Sequence, residues 1–273
     1  MALWLLHDHL NGPLDLSEGC ELVGALAPRR RPDLHALTPR LYRLNEAALG
    51  EARKLAQKQS LRGRPPAISG LLRAGVDASA LREQLSRTCL AATPSSRWTY
   101  CRFFDPRVMT HLRWILTLDQ LDSLLGRIES WEFLDMSSQW VSLSHTPKAP
   151  HYLRLMLDDR QQRLLKDLPA IRASLQQWRS HDPSAPSDDQ QAGARVASNL
   201  ERARDLGLQD DYDQMTLALQ ALLIHPDISH HPDVSKAIAM ARGDATYQAV
   251  TAKWPQARWE SIQEQMNQGQ VIP

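Results

Sequence analysis

The sequence has little of what usually announces chemistry. Cysteine is scarce: Cys20, Cys89 and Cys101 are an odd number at spacings that suit neither a disulfide framework nor paired zinc ligands, so reduced thiols are expected. There is no GxxxxGK(S/T) phosphate loop, no GxGxxG turn, no GxSxG elbow and no HExxH pair, which removes the commonest nucleotide, hydrolase and metalloprotease signatures. Charge of one sign is lacking too. The 32 Lys and Arg stand against 31 Asp and Glu, a net charge of +1 that gives no field to draw in nucleic acid or an anionic bilayer. The apolar opening, residues 1–6, runs into His7-Asp8-His9 without a basic flank, so it predicts a buried strand rather than a signal peptide or membrane span. A cytoplasmic protein without a cofactor is the expectation. Aromatics make up only 6% of the chain, yet eight are Trp against five Tyr and three Phe, a choice that favours contact surfaces.

What is present is a globular composition, 42% hydrophobic and 23% charged over 273 residues, enough for one large domain or two ordinary ones. Apolar alternation predicts strands over 2–6, 40–44, 67–72, 98–104, 128–134 and 140–143. Between them lie helices over 46–59, opened by Asn45, and to about residue 90, opened by Asp77 or Ser79. Two more follow over 106–116 and 119–125, the second with a Thr117/Gln120 capping box and Gly126 as its stop. After His145 the pattern is helical only. A helix over 158–178 contains Pro169, expected to kink or split it. The polar, Pro/Ser-rich stretch 181–192 reads as a flexible connector, and shorter helices follow over 194–206, 211–224, 232–242, 244–253 and 256–267. The fold class expected is therefore α+β or α/β: an N-terminal mixed-sheet lobe over 1–150, then an all-helical lobe over 151–273, with a cleft at the junction near Pro147–Pro150.

Candidate chemistry is thin. His7 and His9, two apart on a strand, share a face and with Asp8 or Asp105 outline a metal-assisted hydrolase, although two histidines fall short of the usual ligand number. The turn from His225 to His231 and the carboxylate pairs Asp158-Asp159, Asp188-Asp189 and Asp210-Asp211 are explained as well by helix capping. Arg29–Arg31 and Arg62–Arg64 are the only basic runs that offer a nucleic-acid reading. Trp4, Trp98 and Trp114 fall among apolar neighbours and are expected in the core. Trp131 and Trp140 face each other across a hairpin, as a cross-strand pair or a contact patch, and Trp178, Trp254 and Trp259 lie beside polar residues as candidates for a partner groove.

The densest stretch is Arg102-Phe103-Phe104-Asp105-Pro106-Arg107-Val108. Asp105 ends a strand and caps a helix with Pro106 at its first position, while Arg102 and Arg107 lie within reach of a carboxylate. A rigid strand-to-helix corner accounts for the pattern better than catalysis, because no nucleophile with its base is near. This stretch, with Leu121-Asp-Ser-Leu-Leu-Gly-Arg-Ile128 and Trp131, resembles the signature of the type VI secretion adaptor domain, also called the effector-chaperone domain and catalogued as a domain of unknown function. Upstream Leu5-Leu-His-Asp8 and Ser69-Gly-Leu-Leu-Arg73 are similar, as are Ala203-Arg-Asp-Leu-Gly-Leu208 and His231-Pro-Asp-Val234 downstream. His7 and Arg29-Arg30-Arg31 depart from the family pattern.

The resemblance implies a cytoplasmic, non-enzymatic adaptor of Gram-negative bacteria. Such a protein binds a cognate toxic effector, often by the effector's N-terminal region, and helps load it onto the VgrG or PAAR protein of the secretion spike. Neither nucleic acid nor membrane is an implied partner. Arg102, Phe104, Asp105, Pro106 and Arg107 match the family motif, with a structural role. The near-zero net charge fits cargo held by shape and apolar contact rather than by long-range steering.

Overall fold

A strand whose successive residues are all apolar must be covered on both faces, and the first strand of this chain is such a case. A computed structural model describes residues 1–16, 18–61, 65–94, 97–148, 154–243 and 245–269. The chain divides into two compact units, Met1–Leu165 and Lys166–Pro273, so the division falls inside a helix and not at residue 150.

The first unit contains strands β1 (Ala2–His7), β2 (Cys20–Ala25), β3 (Arg40–Leu44), β4 (Ile68–Ala74), β5 (Leu90–Ala92), β6 (Trp98–Tyr100), β7 (Ile128–Leu134), β8 (Trp140–Ser144) and β9 (Leu155–Met156). Its helices are α1 (Leu49–Ser60), α2 (Ala78–Thr88), α3 (Pro106–Ile115) and α4 (Leu118–Leu125). Six strands form one sheet in the order β2-β3-β1-β4-β7-β8, with every neighbouring pair antiparallel. A smaller sheet, β6-β5-β9, carries the parallel pairing, between β5 and β9. The class is α+β.

The alternation of β1 sends Leu3 and Leu5 to one face of the large sheet, where Ala52 and Ala56 of α1 cover them. Trp4 and Leu6 go to the other face, against Leu81 and Leu85 of α2 and Met109 and Leu112 of α3. Local signals set the helix ends. Asn45 accepts from the Ala48 N–H, Asp77 caps α2, and Thr117 and Gln120 form the capping box of α4. Gly126, at φ 52, ends α4 where a side chain would collide with the buried Gln84, whose amide donates to Leu125 O and accepts from the Arg127 N–H.

One expected strand is shortened, and three strands lie where none was expected. The strand expected over 98–104 stops at Tyr100: the Cys101 N–H donates to Cys89 O, a turn follows from Arg102 to Asp105, and Phe103 and Phe104 are both fully buried instead of alternating. Strand β2 shows no clean alternation in the sequence because it is a half-exposed edge strand whose register shifts between Leu22 and Gly24. Strands β5 and β9 are too short to carry a pattern of their own and exist by pairing with each other and with β6.

The second unit is helical: the greater part of α5 (Asp159–His181), then α6 (Asp189–Asp205), α7 (Asp211–Leu223), α8 (Pro232–Ala241), α9 (Tyr247–Thr251) and α10 (Gln256–Asn267). Helix α5 runs through Pro169 without being split. The loop after it is short and tied: Arg179 donates to Pro186 O, Ser184 N–H and Oγ donate to Asp182, and residues 189–192 already belong to α6. Buried Asp213 accepts from the Tyr247 and Gln248 N–H groups and so starts α9. The core here is Ala203, Leu217, Ile228, Val234, Ile238, Tyr247 and Ile262 with their neighbours.

Candidate functional site

The signature stretch folds into a corner made by two buried carboxylates and two arginines. Asp8, which follows β1, is fully buried, and its Oδ2 accepts from Arg102 Nη2 at 3.1 Å and from Asn11 Nδ2 at 3.2 Å. Asp105 caps α3 by accepting from the Arg107 N–H, with Pro106 at the first helical position, and is held bidentately by Arg107 at 2.9 and 2.7 Å. Arg102 reaches Asp105 as well, at 3.5 Å, and its guanidinium lies 5.6 Å from the Phe104 ring centre. The hydrogen bonds to Asp105 raise the Arg107 pKa, so it stays charged at any ordinary pH. Asn11 also donates to Pro66 O, and the Asp8 N–H to Ala67 O. One ion cluster thereby fastens the end of β1, the approach to β4, the 102–105 turn and α3. The two carboxylates are matched by two guanidiniums, so the cluster ties these segments together.

The metal-hydrolase expectation does not survive the geometry. Strand β1 ends at His7 and Asp8 opens a turn, so His7 and His9 no longer alternate on one strand. The ring centres are 6.4 Å apart, edge to face; His7 Nε2 bonds Gly12 O and His9 Nε2 bonds Ala36 O. Among the described residues no group of three or more His, Cys, Asp or Glu side chains is placed to hold a metal. The other candidates are caps. Asp158, Asp188 and Asp210 accept helix-start N–H groups, and the His225 and His231 Nδ1 atoms accept from the Asp227 and Asp233 N–H groups. Burial raises the Cys101 thiol to about 12 and raises Cys89 as well, which leaves both unreactive.

The tryptophans sort differently from expectation. Trp131 is fully buried against Phe103, ring centres 5.7 Å apart, and Trp178 is 3% exposed, so neither offers a contact surface. Trp131 pairs with Leu143, and Trp140 with Leu134, so the two do not face each other. Trp140 is half-buried at the edge of the α1 face with Arg53 over its ring. Trp254 and Trp259 are half-buried with ring centres 4.8 Å apart and planes tilted by 40°, and Arg258 lies 4.0 Å over Trp254. Trp4 is core, whereas Trp98 and Trp114 are half-buried.

Trp98 instead belongs to a site that no local pattern announces. A cleft of about 420 Å³ opens between the segment after β2, the face of α2 and the small sheet. Trp98 lines it with two guanidiniums near its ring, Arg30 at 5.3 Å and Arg154 at 4.5 Å from the ring centre. Arg29, Arg82 and Arg87 add three more positive charges, and among the described residues Glu83 is the one acidic side chain of the lining. Arg82 packs beside Gly24, whose φ of 144 and missing side chain leave it room. Its parts lie at 27–30, 79–90, 98 and 154, too far apart for any motif; the basic run Arg29–Arg31 was the only trace. Arg31 itself pairs with Asp33 at 2.6 Å, and Arg62–Arg64 lies outside the described residues, as do Ala149 and Pro150 of the expected junction cleft.

The molecule is thus an α+β unit built on an antiparallel sheet, followed by a helical unit, with an arginine-lined cleft on the first. Among protein families, the model described as "Domain of unknown function (DUF4123)" matches residues 16–123, from just before β2 into α4, including the 102–108 corner and most of the cleft. No curated protein and no solved structure matches. Among the described residues, no helix is long and apolar enough to cross a membrane.

Proposed function

We propose that this chain is a cytoplasmic, non-enzymatic adaptor of type VI secretion, which binds a cognate toxic effector through the effector's N-terminal region and helps load it onto a VgrG or PAAR spike protein. The family match over residues 16–123 carries the reading, since that family is associated with type VI effector adaptors. The resemblance through Phe103-Phe104-Asp105-Pro106-Arg107 falls inside the same segment. The corner supports it by what it does with its charges: a potential acid/base cluster is spent wholly on holding the fold. Deleting the gene tests the reading. Delivery of one effector is lost while the spike still assembles; unchanged delivery of the effector encoded beside it contradicts the proposal.

A further inference from the structure

Exposed guanidiniums gathered without carboxylate partners are screened from one another only by water and counterions, which an anionic ligand can replace. The cleft of the first unit is such a place. Among the described residues, Arg29, Arg30, Arg82 and Arg154 have no carboxylate partner, and Arg87 has only a 3.9 Å contact to Glu83, where both side chains are about half exposed. Other arginines of the unit are also without a carboxylate partner among the described residues, but only here do five of them line one cleft; Arg53, Arg73, Arg102 and Arg107, by contrast, each pair with a carboxylate.

We infer that this cleft holds an acidic segment of a protein partner, with carboxylates on the guanidiniums around Trp98 and an apolar side chain against the indole. Three observations favour a peptide over a phosphate-bearing ligand. Many phosphate sites add backbone N–H groups at a helix start or a Gly-rich nest to their arginines, and at the start of α2, the helix lining the cleft, the Asp77 side chain already accepts from the Ala80 N–H. The floor is apolar, made by Ala27, Pro28, Leu90 and the Trp98 face, which suits a side chain between charges better than a compact anion. The arginines are spread along the cleft on separate segments, matching carboxylates spaced along a chain, and Arg and Trp are the residues that dominate protein contacts. The inference deepens the adaptor reading, which supplies the partner: the effector carries the acidic segment. It also corrects the expectation that cargo is held without charge, since a neutral total hides a local excess.

The test has two arms, both on the full chain. In the first, a fluorescein-labelled peptide alternating Glu and Leu is titrated into the wild type and into Arg30→Gln and Arg154→Gln variants, whose thermal melts establish that they fold. The peptide binds, each substitution weakens binding about tenfold, added salt weakens it further, and a Gln/Leu counterpart does not bind. Absence of binding, equal binding by the variants, or displacement of the peptide by inorganic phosphate at matching concentration overturns the inference. In the second arm, the effector encoded beside the gene is captured by wild type and by the double variant. Capture by wild type alone supports the inference. Equal capture by both overturns it and leaves the adaptor reading standing, whereas no capture by either, with the peptide still bound, removes the adaptor reading and keeps the cleft.

Discussion

Two clusters of arginine and aromatic residues lie in the first unit, and they differ in one respect. At the corner, Arg102 and Arg107 meet the buried carboxylates of Asp8 and Asp105, and Phe104 closes the group. In the cleft, Arg30 and Arg154 lie near the Trp98 ring and, among the described residues, neither pairs with a carboxylate. The charges of the corner are taken up by one another, whereas the exposed guanidiniums of the cleft remain available to an anion. If the proposed cleft holds cargo, substitutions there and not in the signature residues change cargo binding.

The comparison can be broken in stages. The largest effect belongs to the aromatic pair. Trp131→Ala empties a fully buried site and costs about 4 kcal/mol in urea denaturation, while Trp98→Ala costs less than about 1 kcal/mol. Next, Arg102→Met strands the fully buried Asp8 carboxylate and costs about 3 kcal/mol by the same measurement. Comparable loss on Arg154→Gln would erase the distinction between corner and cleft.

Acid acts beside the corner. Burial is the main reason that the His7 pKa lies below its ordinary 6.5, so the folded state takes up that proton less readily than the unfolded chain. Its contribution is complete above pH 6.5 and is lost as the pH falls through the lowered folded value, which His7→Gln should flatten in melts taken across that range. The smallest effect on stability is expected for Arg30→Gln with Arg154→Gln, within about 0.5 kcal/mol of wild type, because neither side chain makes an ion pair with a described residue.

What could be read from the sequence was what is decided locally. Asp105-Pro106, Thr117 with Gln120, and Gly126 mark helix ends by side-chain chemistry within a few residues, and the structure uses all of them in that way. The unbroken apolar run of β1 and the apolar positions of β3 and β7 were equally plain, because each strand packs apolar residues against a cover. Tertiary choices were not legible. Cys101 to Phe104 carry the composition of a strand, yet the turn into Asp105 buries both phenylalanines. Trp98 and Trp131 exchanged their expected places because a tryptophan's neighbours in sequence do not say which layer covers it. The cleft was invisible for the same reason: four separate segments meet there, and only their meeting makes five arginines one site.

Sedimentation velocity on the purified full chain mixed with the toxin encoded beside its gene tests the central claim most directly. The account predicts a single faster boundary containing both proteins, which the paired Arg30 and Arg154 substitutions dissolve while the chain remains folded. Two independent boundaries for the wild-type mixture at micromolar concentration would contradict it.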